Sequence, residues 1–389
     1  MKCSDCFDAV KGLLQDMRKA KEAFKNLIKY PLTVCFSVFI LSIFAASFFI
    51  PEKEKSEWEN RYLAKKPELN LPDLADGSYM KSYEDYINDQ MPARDGFIRL
   101  KAISEAALLK IENNGIARGK ESQLFTKEIK DTSVFDKNTG IIDKFVSSID
   151  NPVTVVIAPN ACGVIEDMVP EGFPVVNQSE KLDAFYGDNS LLKDAVVVDL
   201  KSVLKAHGDE YIYYRTDHHW TTLGAYYTYC ELSDNPVDIG GLSASYSDAF
   251  LGTLYAKYKG LGVEPDVITY YDIPVQSYKT DDIQRDGLYD MDKLSVFDKY
   301  GMFMWGNFGR CEVVTNTKNG RSAVIFKDSY ANSLIPFMTY DYERITVVDL
   351  RYFAGSVSEL MSENKAADVY MIYNFDFMNE DNHFFKLAK

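Results

Sequence analysis

The chain has 389 residues, of which 46% are hydrophobic and 14% aromatic. This length and composition predict a folded core made of two domains, or of one large domain with appendages. The formal net charge of −15 argues against a nucleic-acid partner, because phosphate backbones are held by clusters of Lys and Arg.

The N-terminal region predicts a membrane anchor. Residues 1–30 carry seven basic and four acidic side chains and have apolar positions at helical spacing, which indicates an amphipathic cytoplasmic segment. Residues 32–50 are 19 consecutive uncharged positions, close to the ~20 apolar residues that span a bilayer. We expect a single-pass transmembrane helix at 31–50, with the basic flank in the cytoplasm and the remainder outside. A cleaved signal peptide is the alternative, although the apolar run exceeds the ~7–15 residues of such segments.

Residues 51–118 are expected to form a stalk and a helical cap. The first part is charged and interrupted by Pro67 and Pro72, as is typical of an extended segment. From residue 77 to 113 apolar side chains recur at helical spacing, which predicts two helices broken near Met91 and Pro92.

Residues 119–389 show the pattern of an α/β domain. Short apolar runs alternate with helical stretches, which predicts a parallel sheet covered on both faces. An insertion is expected at about 245–298, with strands at 266–271 and 275–279. The other predicted strands are 153–158, 195–200, 211–214, 323–326, 345–350 and 369–373, and the predicted helices are 222–232, 332–340 and 357–364.

Four polar positions follow predicted strands, and ligands of open α/β sheets collect at the carboxyl ends of the strands. They are Asn160, the Asp217/His219 pair, Ser329 and Arg351. A carboxylate beside an imidazole can orient a general base, and a serine that opens a helix can act as a nucleophile. The sequence therefore predicts nucleophilic catalysis at this edge of the sheet.

Simpler roles remain open for these residues. Ser329 or Asp328 could serve only as a helix cap, and Arg351 could form a structural ion pair with Asp349. A zinc site on Asp217, His218 and His219 is disfavoured, because adjacent side chains of an extended segment point in opposite directions. The Cys3–Cys6 pair lacks the second pair of a zinc site, and we expect neither a metal nor a cofactor.

The outer part of the chain, residues 51–389, resembles the bacterial DHHW protein family. Through it the chain is similar to the SGNH-hydrolase-like (flavodoxin-like) domains of alginate O-acetyltransferases. The resemblance is carried by the SExENR segment at 56–61, DQxPxRD at 89–95, DHHWT at 217–221, DSY at 328–330 and DLRY at 349–352.

The resemblance implies a Ser-His-Asp triad of Ser329, His219 and Asp217, with His218 as the alternative base. The acid and base precede the serine, whereas ordinary SGNH enzymes have the opposite order, so a circularly permuted domain is expected. Lys327 replaces the glycine that usually precedes the Asp-Ser pair. Asn160 and Asn307 compete as oxyanion donors, and Tyr330 and Arg351 are expected to bind substrate.

The implied activity is O-acetylation of a cell-surface or exported polysaccharide through an acyl-serine. Deacetylation by the same triad is an alternative, and so is a non-catalytic scaffold that binds polysaccharide or a partner. Because acetyl-CoA is cytoplasmic, a transferase outside the membrane needs acetyl groups delivered across the membrane. The resemblance implies a membrane-bound O-acyltransferase as the partner that supplies them.

Overall fold

The structure is a computed structural model that describes Met17, Lys21 and residues 29–56, 61–127, 131–175, 178–187 and 191–388. The expected amphipathic segment at 1–30, with Cys3 and Cys6, lies almost entirely outside the described residues, as do residues 57–60 of the SExENR segment. The chain divides into two compact units, one of Met1–Ser56 with Arg61–Ile98 and one of Glu57–Asn60 with Arg99–Lys389.

The first unit contains the apolar helix and a small helical assembly. Within the described residues, no helix combines the length and the apolar character needed to cross a membrane. Its elements are α1 (Pro31–Ser47), β1 (Lys55–Ser56), β2 (Arg61–Tyr62), α2 (Leu71–Asp76), α3 (Ser78–Gln90) and the first residues of α4 (Arg94–Ala107).

The DQxPxRD segment has a structural role in this unit. Met91, which precedes Pro92, has an extended ψ of 128° and ends α3, as the steric effect of proline on the preceding residue requires. The Asp89 carboxylate accepts a hydrogen bond from the Ala64 backbone N–H at 2.8 Å. The Gln90 amide donates to the carbonyl oxygens of Lys53 and Ala64 at 3.0 and 3.1 Å. The predicted break between two helices is confirmed.

The second unit is built on an eight-stranded mixed sheet. Its strands are β6 (Val153–Ala158), β7 (Ala195–Val198), β10 (Val275–Thr280), β11 (Ile283–Arg285), β12 (Arg310–Thr315), β13 (Ser322–Lys327), β14 (Arg344–Val348) and β15 (Asp368–Asn374). Across the sheet their order is β11-β10-β12-β14-β13-β15-β6-β7. The five strands from β14 to β7 are parallel, which confirms the predicted α/β class with a mostly parallel sheet. Strands β12, β10 and β11 extend it in antiparallel pairing.

Two smaller sheets complete the strands. They contain β3 (Glu112–Asn113), β4 (Ile116–Arg118) and β5 (Leu124–Thr126), and β8 (Ala244–Phe250) with β9 (Asp266–Tyr271). Of the described strands that fall in the expected insertion, β10 and β11 belong to the main sheet, whereas β8 and β9 form a separate two-stranded sheet.

The main sheet has a hydrophobic core on each face. In β13, Ala323 and Ile325 enter one core, and Val324 and Phe326 enter the other, as the two-residue period of a strand dictates. Burial on both faces explains why the central strands are continuous apolar runs. One core contains α7 (Leu200–Lys205), α8 (Thr222–Leu232) and α10 (Ile335–Met338); the other contains α5 (Ser133–Val146), α6 (Gln178–Gly187), α11 (Val357–Glu363) and α12 (Phe375–Glu380). A further short helix, α9, spans Thr253–Tyr258.

Two predicted elements were wrong. The run at 211–214 is not a strand of the sheet; it folds back on the following turn through a bridge between Tyr213 and Trp220. Its backbone groups are used in that turn, because Thr221 N–H donates to Ile212 O at 2.8 Å and Tyr214 N–H to His219 O at 3.3 Å. The predicted helix at 332–340 is instead a 3₁₀ helix, Ser329–Ser333, followed by the short α10, whose second residue is Pro336.

Candidate active site

The Asp-His-His-Trp turn is fixed by a buried aspartate of β9. The Asp266 carboxylate accepts hydrogen bonds from the backbone N–H groups of Arg215 and Thr216, both at 2.8 Å. It also accepts one from the Thr216 hydroxyl at 2.5 Å. After the turn, Thr221 caps α8 by accepting from Gly224 N–H at 3.4 Å. These contacts fix the shape of the turn without involving Ser329.

Ser329 lies where β13 gives way to the 3₁₀ helix, at the carboxyl edge of the sheet. The buried Asp328 carboxylate caps this helix by accepting from Tyr330 N–H at 2.8 Å, and it also accepts from Asn374 N–H of β15 at 2.7 Å. The capping role considered for this position thus falls to Asp328, which leaves the Ser329 hydroxyl available for other contacts.

The structure brings Ser329, His219 and Asp217 into one hydrogen-bonded series. The Ser329 Oγ and the His219 Nε2 are 2.8 Å apart, and the His219 Nδ1 and the Asp217 Oδ1 are 2.5 Å apart. Asp217 and His219 are buried, whereas Ser329 is partly exposed. The Ser329 hydroxyl is therefore accessible while the carboxylate and the imidazole are shielded from water, which is the arrangement that a base-activated serine would require.

Asp217 is held in its charged form. Burial alone would raise its pKa, but the rings of His218 and His219 and the hydrogen bonds from His219 and Thr253 outweigh burial and hold the pKa well below its usual range. The second carboxylate oxygen accepts from the Thr253 N–H at 2.8 Å and from the Thr253 hydroxyl at 2.9 Å. Both oxygens are thus occupied, and the carboxylate orientation is fixed.

Two buried aromatic residues support the series. The Tyr300 ring stacks on the His219 imidazole, with centroids 3.7 Å apart and an interplanar angle of 9°. The Tyr300 hydroxyl donates to the Ser329 carbonyl oxygen at 3.0 Å. The Trp220 indole N–H reaches the Tyr330 carbonyl oxygen and the Ser333 hydroxyl, both at 3.0 Å. Tyr300 therefore contacts both the histidine and the backbone of the serine.

His218 lies beside the series rather than in it. Its Nδ1 is 2.7 Å from the Thr253 hydroxyl oxygen, and its ring centroid is 3.8 Å from that of His219. The two adjacent histidines therefore do not point in opposite directions as predicted, because the turn is not extended. Ligand atoms of Asp217, His218 and His219 lie within 4.8 Å of one another. Both His219 nitrogens, however, already have hydrogen-bonding partners in the series, so a metal ion would have to replace those contacts.

The candidate oxyanion donors, Asn160 and Asn307, have different hydrogen-bonding partners. In the described part of the chain, the Ser329 backbone N–H has no hydrogen-bond acceptor. Asn160 follows β6, its side-chain oxygen accepts from the Asn374 amide, and its side chain also donates to Asp376. The Asn307 side-chain oxygen instead accepts from the buried Lys327 ammonium at 2.6 Å. Asn307 is therefore tied to the residue that replaces the usual glycine.

The two expected substrate-binding residues make structural contacts. Tyr330 is buried, and its hydroxyl donates to the His218 carbonyl oxygen, which joins the 3₁₀ helix to the turn. The Arg351 guanidinium donates to both oxygens of Asp349, at 2.9 and 2.6 Å. This is the ion pair that the sequence left as the alternative for Arg351, and a contact with substrate stays a prediction.

Sequence reasoning missed Thr253, Asp266 and Tyr300. All three fall outside the recognised motifs, and the first two lie in the expected insertion. No local pattern marks them, because their contacts reach between 29 and 51 residues along the chain.

Comparisons with known proteins agree with this architecture. The profile of the family described as DHHW protein matches residues 131–348. A DHHW family protein from Eubacterium siraeum is 26% identical, with a TM-score of 0.60, and the match covers 72% of this chain and 96% of that one. Bacillus cereus PatB1 is 15% identical, with a TM-score of 0.58 and coverages of 69% and 98%; its form with a sulfonyl adduct has a TM-score of 0.57.

The O-acetyltransferase domain of Pseudomonas putida AlgJ is 14% identical, with a TM-score of 0.42. The match covers 69% of this chain and 93% of that one, and the similarity is too distant to inform the site. No curated protein matches the sequence.

Proposed function

The chain belongs to the DHHW protein family, and from that premise we propose that it is a serine acyltransferase that O-acetylates an exported or cell-surface polysaccharide. The observation that carries the proposal is the hydrogen-bonded series from Ser329 through His219 to Asp217. The order of these residues along the chain fits a circularly permuted SGNH-like domain.

In the proposed reaction His219 Nε2 takes the proton of the Ser329 hydroxyl as its oxygen attacks the acyl carbonyl of an acetyl ester. Asp217 keeps the Nδ1 proton in place and stabilises the imidazolium. The negative oxygen of the tetrahedral intermediate is met by the Ser329 N–H, with Asn160 as a second donor. The imidazolium then protonates the leaving alcohol, and an acetyl-serine remains.

The second half of the reaction decides the type of enzyme. A sugar hydroxyl gives its proton to His219 Nε2 as its oxygen attacks the acetyl-serine carbonyl. The bond between the acetyl carbon and Ser329 Oγ then breaks, the imidazolium returns the proton to Oγ, and the sugar leaves as an acetyl ester, which is transfer. Water in the same position gives acetate, which is deacetylation. Arg351 is proposed to contact the sugar from the next strand, although its pairing with Asp349 limits it to the guanidinium N–H groups that remain free. No cofactor enters either half-reaction.

Covalent labelling tests the nucleophile. The purified full-length protein is treated with a serine-directed sulfonyl fluoride and digested, and peptides are analysed by mass spectrometry. We expect one adduct on Ser329, and none at that position in Ser329→Ala. The exposed Ser358 provides the control, because labelling that depends on exposure alone would also modify it. Absence of a Ser329 adduct in folded protein would favour the alternative of a non-catalytic polysaccharide-binding scaffold.

A comparison of the adjacent histidines tests the base. Hydrolysis of 4-nitrophenyl acetate is expected to be lost in His219→Ala and largely retained in His218→Ala, because only His219 contacts the Ser329 hydroxyl. Loss of turnover in the His218 variant alone would show that the base has been assigned to the wrong histidine.

We further propose that residues 32–50 anchor the protein in the cell membrane, with the active site outside the cytoplasm. Helix α1 runs through most of this segment, and none of its side chains is buried. The anchor would place the site beside a membrane-bound O-acyltransferase that supplies acetyl groups. Recovery of the protein in the membrane fraction after an alkaline carbonate wash supports anchoring, and its release by that wash contradicts it.

A further inference from the structure

A cavity opens on the edge of the sheet that holds Ser329. Its volume is about 380 Å³, within the range of ligand sites, and it lies between the β10–β11 turn, the start of β12 and the loop after β14. Its lining includes the charged side chains of Lys279, Asp281, Asp282, Arg310 and Glu312 and the ring of Tyr352.

Strand register places the cavity and the serine on one edge. Strands β13 and β14 are parallel, with Phe326 opposite Val348, so Ser329 and Tyr352 both follow the carboxyl ends of neighbouring strands. Arg310 pairs with Val348 across the antiparallel β12–β14 ladder, which brings the start of β12 to the same edge. Since strands are about 4.8 Å apart, the cavity begins one strand away from β13 and extends to roughly 14 Å from it at β10.

One loop connects the two places. Asn307 is held beneath the active edge by the Lys327 ammonium at 2.6 Å. Two residues later, Gly309 forms part of the cavity, and a Cβ there would lie 2.8 Å from the Tyr352 carbonyl oxygen. Only glycine allows this approach of the two segments without a backbone shift. The loop at 307–309 therefore contacts both the end of β13, which precedes Ser329, and the segment that follows β14.

The cavity has the chemistry of a sugar site. The Tyr352 side chain is 58% exposed and offers a flat apolar face for a sugar ring. The Asp282 carboxylate has no hydrogen-bonding partner within the described residues and can accept bonds from two neighbouring hydroxyls. Asp281 is already used, because it accepts from the Arg310 N–H at 2.9 Å.

The charges around the cavity disfavour an anionic sugar. Two basic side chains, Lys279 and Arg310, face three acidic ones, Asp281, Asp282 and Glu312. The Arg310 guanidinium is paired with Glu312 at 2.9 Å. Residues 51–389 contain 36 basic and 54 acidic side chains, a net charge of −18, which repels a polyanion over the whole approach.

We propose that this cavity is a distal acceptor subsite, which binds an uncharged sugar unit of the polysaccharide whose neighbouring unit receives the acetyl group at Ser329. The inference rests on the proposed function and sharpens it, because it selects a neutral polysaccharide over a polyuronate.

Binding can be measured without turnover. Full-length Ser329→Ala protein is titrated calorimetrically with a panel of neutral hexasaccharides (glucan, mannan, xylan and galactan) and with a mannuronate hexasaccharide. We expect at least one neutral hexasaccharide to bind and the uronate to bind more weakly. Adding Tyr352→Ala should weaken binding about tenfold, equivalent to about 1.4 kcal/mol. Asp282→Asn should weaken it too, and Asn tolerates the positive φ of 71° at that position.

The matched control is Tyr246→Ala, which removes another exposed tyrosine, 69% accessible and outside the cavity; binding should stay within twofold of the parent protein. The proposal is overturned if no neutral hexasaccharide binds, if the uronate binds more tightly, or if Tyr352→Ala and Tyr246→Ala behave alike. Hydrolysis of 4-nitrophenyl acetate by the wild-type protein tests catalysis separately. If the protein binds the oligosaccharides but does not hydrolyse 4-nitrophenyl acetate, the proposed catalytic activity is refuted and the proposed subsite is not.

Discussion

Asp217→Asn is the most informative change to the candidate triad, because it preserves size and removes only the charge and one acceptor. The carboxylate accepts four hydrogen bonds. Oδ1 receives the His219 backbone N–H at 3.1 Å and faces Nδ1 at 2.5 Å. Oδ2 receives the N–H and the hydroxyl of Thr253 at 2.8 and 2.9 Å. An asparagine has one oxygen and one NH₂ group and cannot satisfy both sides.

Both orientations of the asparagine impair the base. If its oxygen faces Thr253, its NH₂ group faces His219, whose Nδ1 must then accept; the ring proton moves to Nε2, which can no longer take the serine proton. If the amide is reversed, the Thr253 N–H is left buried and unpaired, at a cost of roughly 1–3 kcal/mol. The charge that stabilises the imidazolium is lost in either case. We expect kcat/KM to fall by ~10⁴, the effect of the same substitution in a serine protease triad.

The assay is hydrolysis of 4-nitrophenyl acetate near neutral pH, corrected for the spontaneous rate, together with the rate of sulfonyl fluoride labelling. Thr253→Val is the graded control, because it keeps the charged carboxylate and removes the hydroxyl that donates to Asp217 Oδ2 and lies 2.7 Å from His218 Nδ1. A loss of roughly 1.5–3 kcal/mol, the range for a hydrogen bond to a charged group, corresponds to a rate decrease of roughly 10- to 150-fold. Asp217→Asn activity within tenfold of wild type, in protein with unchanged thermal stability, would refute the assignment of Asp217.

Two further predictions concern Tyr300 and the partly buried Asp376. Tyr300→Phe keeps the ring stacked on His219 and loses the hydroxyl contact with the Ser329 carbonyl, whereas Tyr300→Leu loses both contacts. We expect kcat to be roughly tenfold lower in the leucine variant than in the phenylalanine variant, with KM little changed. Equal values of kcat in the two variants would contradict a role for stacking. Burial raises the pKa of Asp376 to about 6, although a hydrogen bond from Asn160 opposes the rise. An aspartate in the unfolded chain has a pKa of about 3.9, so between this pH and about 6 the folded state keeps a proton on Asp376 that the unfolded state has lost. The protonated carboxyl therefore stabilises the folded state at low pH, and this stabilisation is lost as pH rises through about 6. The melting temperature of wild type should therefore fall more steeply from pH 4 to pH 7 than that of Asp376→Asn; parallel curves would contradict the raised pKa.

The central strands were predictable because burial on both faces forces continuous apolar runs. Residues 153–158 and 222–232 coincide with β6 and α8. The run at 211–214 has the same apolar character but belongs to a turn. It was predicted as a strand because an apolar run indicates burial and does not distinguish a sheet strand from a segment that is covered by its own turn. The aromatic residues around that turn, including Tyr214, Phe250 and Tyr300, form a separate small core.

The sequence by itself determined the residue types of the site, the short spacing between Asp217 and His219, and membership of the DHHW family, because these are local patterns. It also determined that Ser329 follows a central strand, since that strand is a buried apolar run. Only the tertiary structure decided which histidine contacts the serine, and that Tyr300 and Thr253 contact His219 and Asp217. It also decided between the two roles left open for Arg351 by pairing it with the neighbouring Asp349. Apart from that pair, these contacts bring together side chains up to 110 residues apart in the chain. Such contacts follow from strand register and turn shape, which no single segment encodes.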